Sequence, residues 1–179
     1  MVCNLCSSLV SVFAIFLVAS TSYAIPESEV KTICNQTQNS SFCLALLMSN
    51  PNPNAGLVNV TQYTIDVARA NVTNTIKLIN DLIGHSNGSS KSHYTECLDH
   101  FGSEGALGDI DYTQEMLQKG DYQGVNVAAS AVSDDVEDCI SGESPSDSPY
   151  DDPSDLPKYA AVIQSVLGVI LVLSKYLRH

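Results

Sequence analysis

Cysteine placement constrains the fold of this chain more than any other feature. Beyond residue 24 four cysteines remain in two kinds of pair: Cys34 and Cys43 are close in sequence, whereas Cys97 and Cys139 are far apart. An even number of cysteines behind a secretory leader is typical of a disulfide framework. One short-range and one long-range bond would suit a helical bundle with a stapled N-terminal arm.

Residues 1–24 are predicted to be a signal peptide. Leu9 to Ala19 form an apolar run with the length of a signal-peptide core, too short to span a bilayer. Ser22-Tyr23-Ala24 then offers small residues for cleavage, which would also remove Cys3 and Cys6. We therefore expect a secreted, extracellular protein.

Asn-x-Ser/Thr sequons support the same compartment, because several of them in a short chain indicate passage through the secretory route. Predicted N-glycosylation sites are Asn35, Asn39, Asn59, Asn71 and Asn87. The first two share the small loop that a Cys34–Cys43 bond would close, where one glycan can block the other.

The chain carries a formal net charge of −12. Nucleic acid is excluded as a partner, because there is no basic patch to release counterions from phosphates. The acidity also argues against an anionic polysaccharide as a direct ligand. Long-range attraction favours a cationic partner instead. The alternative is that the charge only keeps a secreted protein soluble.

Hydrophobic periodicity predicts an almost entirely helical chain. We expect an N-terminal helical hairpin over residues 25–54 and a four-helix bundle over residues 55–179. The bundle helices are predicted at 55–83, 91–119, 121–140 and 156–177.

Local signals refine these boundaries. Val58 opens a row of apolar residues that should form the buried face of the first bundle helix, and Gly84 is expected to end that helix. Gly102, Gly105 and Gly108 interrupt the second helix. Asp121 is a suitable N-cap for the third.

This layout predicts an all-α, up-and-down four-helix bundle. The second and third helices would be antiparallel neighbours, and a Cys97–Cys139 bond would join the start of one to the end of the other. In the chain-entropy model such a loop stabilises the fold by about 4 kcal/mol, and the smaller Cys34–Cys43 loop by less. The other pairings would fold the N-terminal arm across the bundle and rank lower.

The last helix has two interpretations. Tyr159 to Leu173 is uncharged and strongly apolar, so it resembles a membrane span or the removable tail of a lipid-anchor signal. The run is shorter than the roughly 20 residues that a span needs, and Gln164 and Ser165 interrupt it. We therefore predict a core helix and no membrane association.

No motif in the sequence predicts catalysis, a cofactor or a metal. The histidines, which are His85, His93, His100 and His179, share no metal-ligand spacing with the cysteines. A run of carboxylates at residues 134–138 is interpreted either as a solvated acidic face or as a binding face for a basic partner. We expect a binding protein rather than an enzyme.

Several motifs together resemble the plant invertase inhibitor and pectin methylesterase inhibitor family across the whole mature chain. They are Ile33-Cys34 followed by Thr37 and Ser41-Phe42-Cys43-Leu44; Tyr63-Thr64-Ile65-Asp66-Val67-Ala68; Tyr94-Thr95-Glu96-Cys97; Gly120-Asp121-Tyr122; Val125-Asn126-Val127-Ala128-Ala129-Ser130-Ala131; and Cys139. The combination of cysteine spacing, Gly-Asp-Tyr turn and small-residue helix makes the resemblance specific.

The resemblance implies a four-helix bundle with an N-terminal helical hairpin and the bonds Cys34–Cys43 and Cys97–Cys139. It also implies a non-catalytic inhibitor without a cofactor. Some members bind pectin methylesterase in the cell wall, one to one, and cover its active-site cleft; others bind acid invertase. Invertase inhibitors tend to carry Pro-Lys-Phe after the Gly-Asp turn, where this chain has Tyr122-Gln123-Gly124. The esterase-inhibiting branch is therefore favoured, with acid invertase as the alternative target.

The resemblance also suggests that the second and third helices, with part of the fourth, cover the enzyme's cleft. The predicted contact residues are Asp99, Asp121, Tyr122, Asp134 and Asp138. Four of them have a purely structural alternative: Asp121 as an N-cap, Tyr122 as a core residue, and Asp134 and Asp138 as solvated surface.

Overall fold

The computed structural model describes residues 25–52, 54–142 and 150–179, so the predicted signal peptide lies outside the described residues. The described residues form seven α-helices and no strand. They are α1 (Glu27–Cys34), α2 (Ser40–Met48), α3 (Leu57–His85), α4 (Gly88–Phe101), α5 (Ala106–Lys119), α6 (Tyr122–Ser141) and α7 (Leu156–Leu177). The predicted all-α bundle with an N-terminal helical hairpin is confirmed.

Four rods make up the bundle: α3, the consecutive pair α4–α5, α6 and α7. Within the described residues, α3 and α6 each pack against α7 and against the α4–α5 rod but not against each other. They are therefore diagonal in the bundle, and their solvent faces point in opposite directions. The apolar faces of all four rods meet in one core, as helix amphipathicity requires.

The first bundle helix, α3, is rotated slightly from its predicted orientation. Val58 was expected in the core, yet its side chain is 43% exposed. Val60, Thr61 and Thr64 are buried at this end instead. The Thr64 hydroxyl donates a hydrogen bond to the Val60 carbonyl at 2.9 Å, which satisfies a polar group that sequence patterning assigns to solvent.

The C-terminal end of α3 differs from prediction as well. Gly84 was expected to end the helix, but α3 continues to His85 and Ser86 follows as an extended residue. The His85 ring lies 2.8 Å from the Asp81 carbonyl, so a side chain rather than a glycine completes the last turn.

The second rod is two helices rather than one helix with a loose segment. A Cβ on Gly105 would lie 2.1 Å from the His100 carbonyl oxygen, and one on Gly108 would lie 2.1 Å from that of Ser103. Backbone therefore passes closer to these positions than any side chain permits. The glycines that interrupt the predicted helix allow the tight crossover from α4 to α5.

Both disulfide bonds of the predicted fold are present, Cys34–Cys43 and Cys97–Cys139. The first joins α1 to α2 in the hairpin. The second joins α4 to the end of α6, as the antiparallel arrangement of those helices requires. The hairpin packs on α7 and α3, and the Gln36 amide donates a hydrogen bond to the Tyr176 hydroxyl at 2.5 Å.

The apolar last helix is a core element. By length and composition α7 is able to cross a membrane, but half of its most apolar window is buried inside the bundle. Leu156, Ala160 and Ile163 are buried as predicted, while Leu177, also assigned to the inner face, is only partly buried. The helix packs against both α3 and α6, so it fills the gap between the two diagonal rods.

Candidate functional site

The turn between α5 and α6 places the first two predicted contact residues. Gly120 has a φ of 72°, a left-handed conformation that favours glycine. The N–H of Gly120 donates to the Leu117 carbonyl at 3.1 Å, and the N–H of Asp121 donates to the Met116 carbonyl at 2.9 Å. This pair of bonds is a Schellman motif, which ends α5, and α6 begins after two residues, Gly120 and Asp121.

Asp121 caps α6, as the sequence predicts. Its carboxylate accepts a hydrogen bond from the Gly124 N–H at 2.8 Å, and its negative charge lies at the positive end of the helix. Asp121 is exposed, whereas Tyr122 is half-buried and packs against the core. The structural roles of both residues are therefore visible, and a contact with a partner stays a prediction.

The remaining predicted contacts lie at the other end of α6. Asp134 is exposed, and Asp138 is half-buried beside a small cavity that His93 and Glu96 also line. Asp99 is exposed on α4, two residues after the cysteine that bonds α6. At 1.5 Å per residue, Asp134 is about 20 Å along the helix from Asp121. The five predicted residues therefore form two groups at opposite ends of one surface.

The small-residue segment of α6 lies between these two groups. Ala128 and Ala129 are buried, and they allow the neighbouring helices to approach closely. Asn126 ties α6 to α7 by donating a hydrogen bond to the Ser174 hydroxyl at 2.8 Å. Val127 is 59% exposed, so an apolar side chain lies on this surface between the two acidic groups. An apolar centre with a charged rim is typical of protein-binding surfaces.

The sequence did not predict a pair of partly buried carboxylates, Asp135 on α6 and Asp109 on α5. Burial, and to a smaller extent the charge of Asp109 on α5, raise the pKa of Asp135 on α6 to about 6, while the charge of His100 on α4 opposes the shift. Burial also raises the pKa of Asp109. Within the described residues, one carboxylate oxygen of Asp135 is buried without a hydrogen-bond partner. No cluster that could hold a metal ion occurs among the same residues.

Helical spacing in the sequence does indicate that Asp135 is partly buried. Asp135 is three residues after Val132 and four before Cys139, so helical spacing places it near the buried face of α6. The surrounding acidic run obscured this position, because the whole run was interpreted as one solvated or partner-binding face.

A clasp formed by Tyr150 and Asp152, which precede α7, holds that segment against α4. The Tyr94 hydroxyl donates to the Asp152 carboxylate at 2.7 Å, and the Tyr150 hydroxyl donates to the Ser90 hydroxyl at 2.7 Å. The rings of His93 and Tyr150 stack with centroids 4.2 Å apart. Burial raises the pKa of Tyr94 to about 12 and lowers the pKa of His93. These partners are about 60 residues apart along the chain, beyond the reach of local patterns.

The predicted glycosylation sites all lie outside α5, α6 and α7. They lie in the hairpin, on α3 and just before α4, and no sequon follows Asn87 in the sequence. The α5–α6 surface, which comprises the solvent faces of α5 and α6, therefore carries no sequon of its own. Asn39 of the hairpin borders it, because it lines a groove with Ser133 and Glu137 of α6.

Comparison with known proteins agrees with the fold. A protein-family model described as plant invertase/pectin methylesterase inhibitor matches residues 28–163. Pectinesterase inhibitor 1 of Arabidopsis thaliana is 34% identical over 138 residues, which cover 75% of each chain. Pectinesterase inhibitor of Actinidia deliciosa is 30% identical over 112 residues, which cover 62% of this chain and 60% of that protein.

Solved structures show the same similarity. The crystal structure of mutant form A of a pectin methylesterase inhibitor from Arabidopsis has a TM-score of 0.69 and 30% identity, with 82% of this chain and 95% of that chain covered. The crystal structure of a pectin methylesterase inhibitor from Arabidopsis thaliana has a TM-score of 0.61 and 29% identity, with 86% and 98% covered.

The matched family is one of enzyme inhibitors, so the protein is not itself an enzyme. Its match spans most of the chain, including the hairpin, the Gly-Asp-Tyr turn and both disulfides. On these grounds the chain belongs to the plant invertase/pectin methylesterase inhibitor family.

Proposed function

We propose that this protein is a secreted inhibitor of pectin methylesterase. In this proposal it binds the enzyme one to one, occludes the active-site cleft and so regulates the de-esterification of pectin in the cell wall. The observation that carries the proposal is its similarity along most of its length to proteins named pectinesterase inhibitor, at 34% identity for Pectinesterase inhibitor 1. The compared crystal structures are of pectin methylesterase inhibitors as well.

The α5–α6 surface is the proposed binding face. It carries Val127 at its centre, Asp121 and Tyr122 at one end, and Asp134 and Asp138 at the other. Asp99, on the neighbouring α4, extends the acidic end. A bulky glycan would block a protein partner, and no sequon lies on α5 or α6, although Asn39 of the hairpin borders one edge of α6. Acidic residues at the rim suit a cationic partner surface through long-range attraction.

Rigidity supports inhibition by occlusion. The disulfide from α4 to α6 and the hydrogen bonds of Asn126 to α7 fix the helices that form the surface. A surface that is ordered before binding loses little conformational entropy when it docks. Inhibition then needs no chemical step, because a bundle that covers the cleft excludes the polymer sterically.

Secretion follows from the same proposal. We propose that residues 1–24 are removed as a signal peptide and that the mature protein acts in the apoplast. Residues 25–54 would form the hairpin and residues 55–179 the bundle of a single inhibitor domain. The glycans proposed at Asn35, Asn39, Asn59, Asn71 and Asn87 would be added on the same route.

Residual enzyme activity tests the proposal. Purified mature protein is mixed with plant pectin methylesterases and, separately, with an acid invertase at pH 5 to 7. We expect esterase activity to fall and invertase activity to persist. The reverse result would support the alternative function, invertase inhibition, which the family description also includes. Loss of neither activity would contradict the proposed function.

A further inference from the structure

Asn71 lines an open groove between α3 and α7 that has a volume of about 710 Å³. Tyr159 and Val162 of α7 line the same groove, and their side chains are 42% and 40% exposed. Covering exposed aromatic and aliphatic surface releases water and is favourable. The groove therefore has an apolar wall that the described part of the chain leaves uncovered.

Asn71 differs from the other sequon asparagines. It lies in the middle of α3 and is partly buried, whereas the others are exposed and lie near the ends of helices or between them. Its Nδ2 donates one hydrogen bond to the Val67 carbonyl at 2.8 Å. The amide has a second N–H, so attachment of a sugar can leave the bond to Val67 intact.

We propose that an N-glycan on Asn71 is seated in this groove, with its first sugar rings against Tyr159 and Val162. Attachment joins Nδ2 to C1 of the first sugar and breaks the bond between C1 and the diphosphate of a lipid-linked oligosaccharide donor. One amide proton is lost in the exchange.

The chemistry of the groove fits a sugar. A pyranose ring has a C–H face that packs on aromatic and aliphatic side chains, while its hydroxyls both donate and accept hydrogen bonds. Lys77, Asp81 and Lys158 line the groove and offer donors and acceptors to those hydroxyls. The glycan is tethered to the groove that it fills, so its effective concentration there is high and weak contacts suffice.

Protection of the Asn71 glycan from an endoglycosidase tests whether it binds in the groove. The full chain is expressed in a eukaryotic secretory host, and site-specific mass spectrometry follows the release of glycans from native protein. We expect Asn71 to be occupied and its glycan to be released about tenfold more slowly than that of Asn59, because the groove contacts must open first. Tyr159→Ser should abolish the difference without changing occupancy.

Thermal stability provides a second readout. Asn71→Gln should lower the Tm of the glycosylated protein by more than the same change lowers it in bacterial protein, which has no glycan. Asn59→Gln is the matched control and should show no such dependence on the host. An unoccupied Asn71, or equal release rates at Asn71 and Asn59, would overturn the proposal. Inhibition is measured separately, so failure here leaves the proposed function unaffected.

Discussion

At the scale of single residues, Asp135 departs clearly from the usual behaviour of an aspartate. It lies on α6 next to the exposed Asp134, yet burial, together with the charge of Asp109, raises its pKa from 3.8 to about 6. Folding therefore favours the protonated carboxyl. The stabilisation is fully present below the unfolded pKa and is lost as the pH rises through the folded value, so stability should fall between pH 4 and pH 7.

Replacement of Asp135 by Asn should remove this dependence. We expect Asp135→Asn to be more stable than wild type at pH 7 by about 1 kcal/mol, after the shift is discounted for the partial exposure of the carboxyl. At pH 4 the two proteins should be nearly equal. Urea denaturation at both pH values measures the difference. Asp134→Asn, on an exposed neighbour, is the control, and an equal response of the two variants would contradict the assignment.

Asp121 has one observed role and one proposed role, and two variants separate them. Asp121→Ala removes the cap and should cost about 1 kcal/mol of stability. Asp121→Asn keeps an oxygen that can accept from the Gly124 N–H, so its stability should be close to that of wild type. If the charge also meets the enzyme, the Asn variant should inhibit pectin methylesterase more weakly. Unchanged inhibition by the Asn variant would leave Asp121 with the capping role alone.

At the scale of secondary structure, the crossover from α4 to α5 shows how local residues shape the proposed binding face. Gly105 allows the His100 carbonyl to approach its Cα, and this contact lets the chain change direction between the two helices. The α5 helix then leads directly into the Gly120-Asp121 turn. The position of α6 therefore depends on a close approach that only glycine permits.

Glycine substitutions test that dependence. Gly105→Ala would place Cβ 2.1 Å from the His100 carbonyl oxygen, so backbone must move and the protein should lose several kcal/mol of stability. Gly84→Ala is the matched control, because Gly84 is helical and a Cβ there meets nothing within 4 Å. That change should stabilise the protein by roughly 0.5–1 kcal/mol. Urea denaturation measures the free energy of unfolding of both variants. Equal changes in the two would contradict this interpretation of the crossover.

Sequence patterns predicted the elements better than their interactions. The period of apolar residues located the bundle helices, and the cysteine spacing predicted the bonds that the structure contains. Val58 was misplaced because buried threonines satisfy their hydroxyls within α3, which hydrophobic patterning does not detect. The segment was predicted as one interrupted helix rather than as α4 and α5, because glycines in a helical pattern indicate a weak helix but not where the chain turns.

Long-range contacts limited how much of the candidate site the sequence could predict. Asp121 was predicted as a cap from its neighbours, and the structure confirms it. Asp135 and Asp109 come together only through the packing of α5 on α6. The clasp of Tyr150 and Asp152 likewise depends on the return of the chain to α4. Such contacts depend on tertiary structure, and local sequence motifs do not predict them.

At the scale of the whole molecule, the arrangement of the rods separates two surfaces. The α3 and α6 helices are diagonal, so predicted glycans on α3 face away from the exposed side of α6. The net charge of −12 favours long-range attraction of a cationic partner, and the proposed binding face on α6 lies opposite the sequons of α3.

Titration of a pectin methylesterase with this protein tests the central claim most directly. Wild type is compared with Val127→Arg, on the exposed side of α6, and with Val58→Arg, an exposed valine on α3. We predict that activity falls linearly to a minimum at an equimolar ratio for wild type and for Val58→Arg, and that Val127→Arg inhibits far more weakly. Full inhibition by Val127→Arg, or loss of inhibition with Val58→Arg alone, would contradict the proposed binding face. An enzyme unaffected by wild type would contradict the account as a whole.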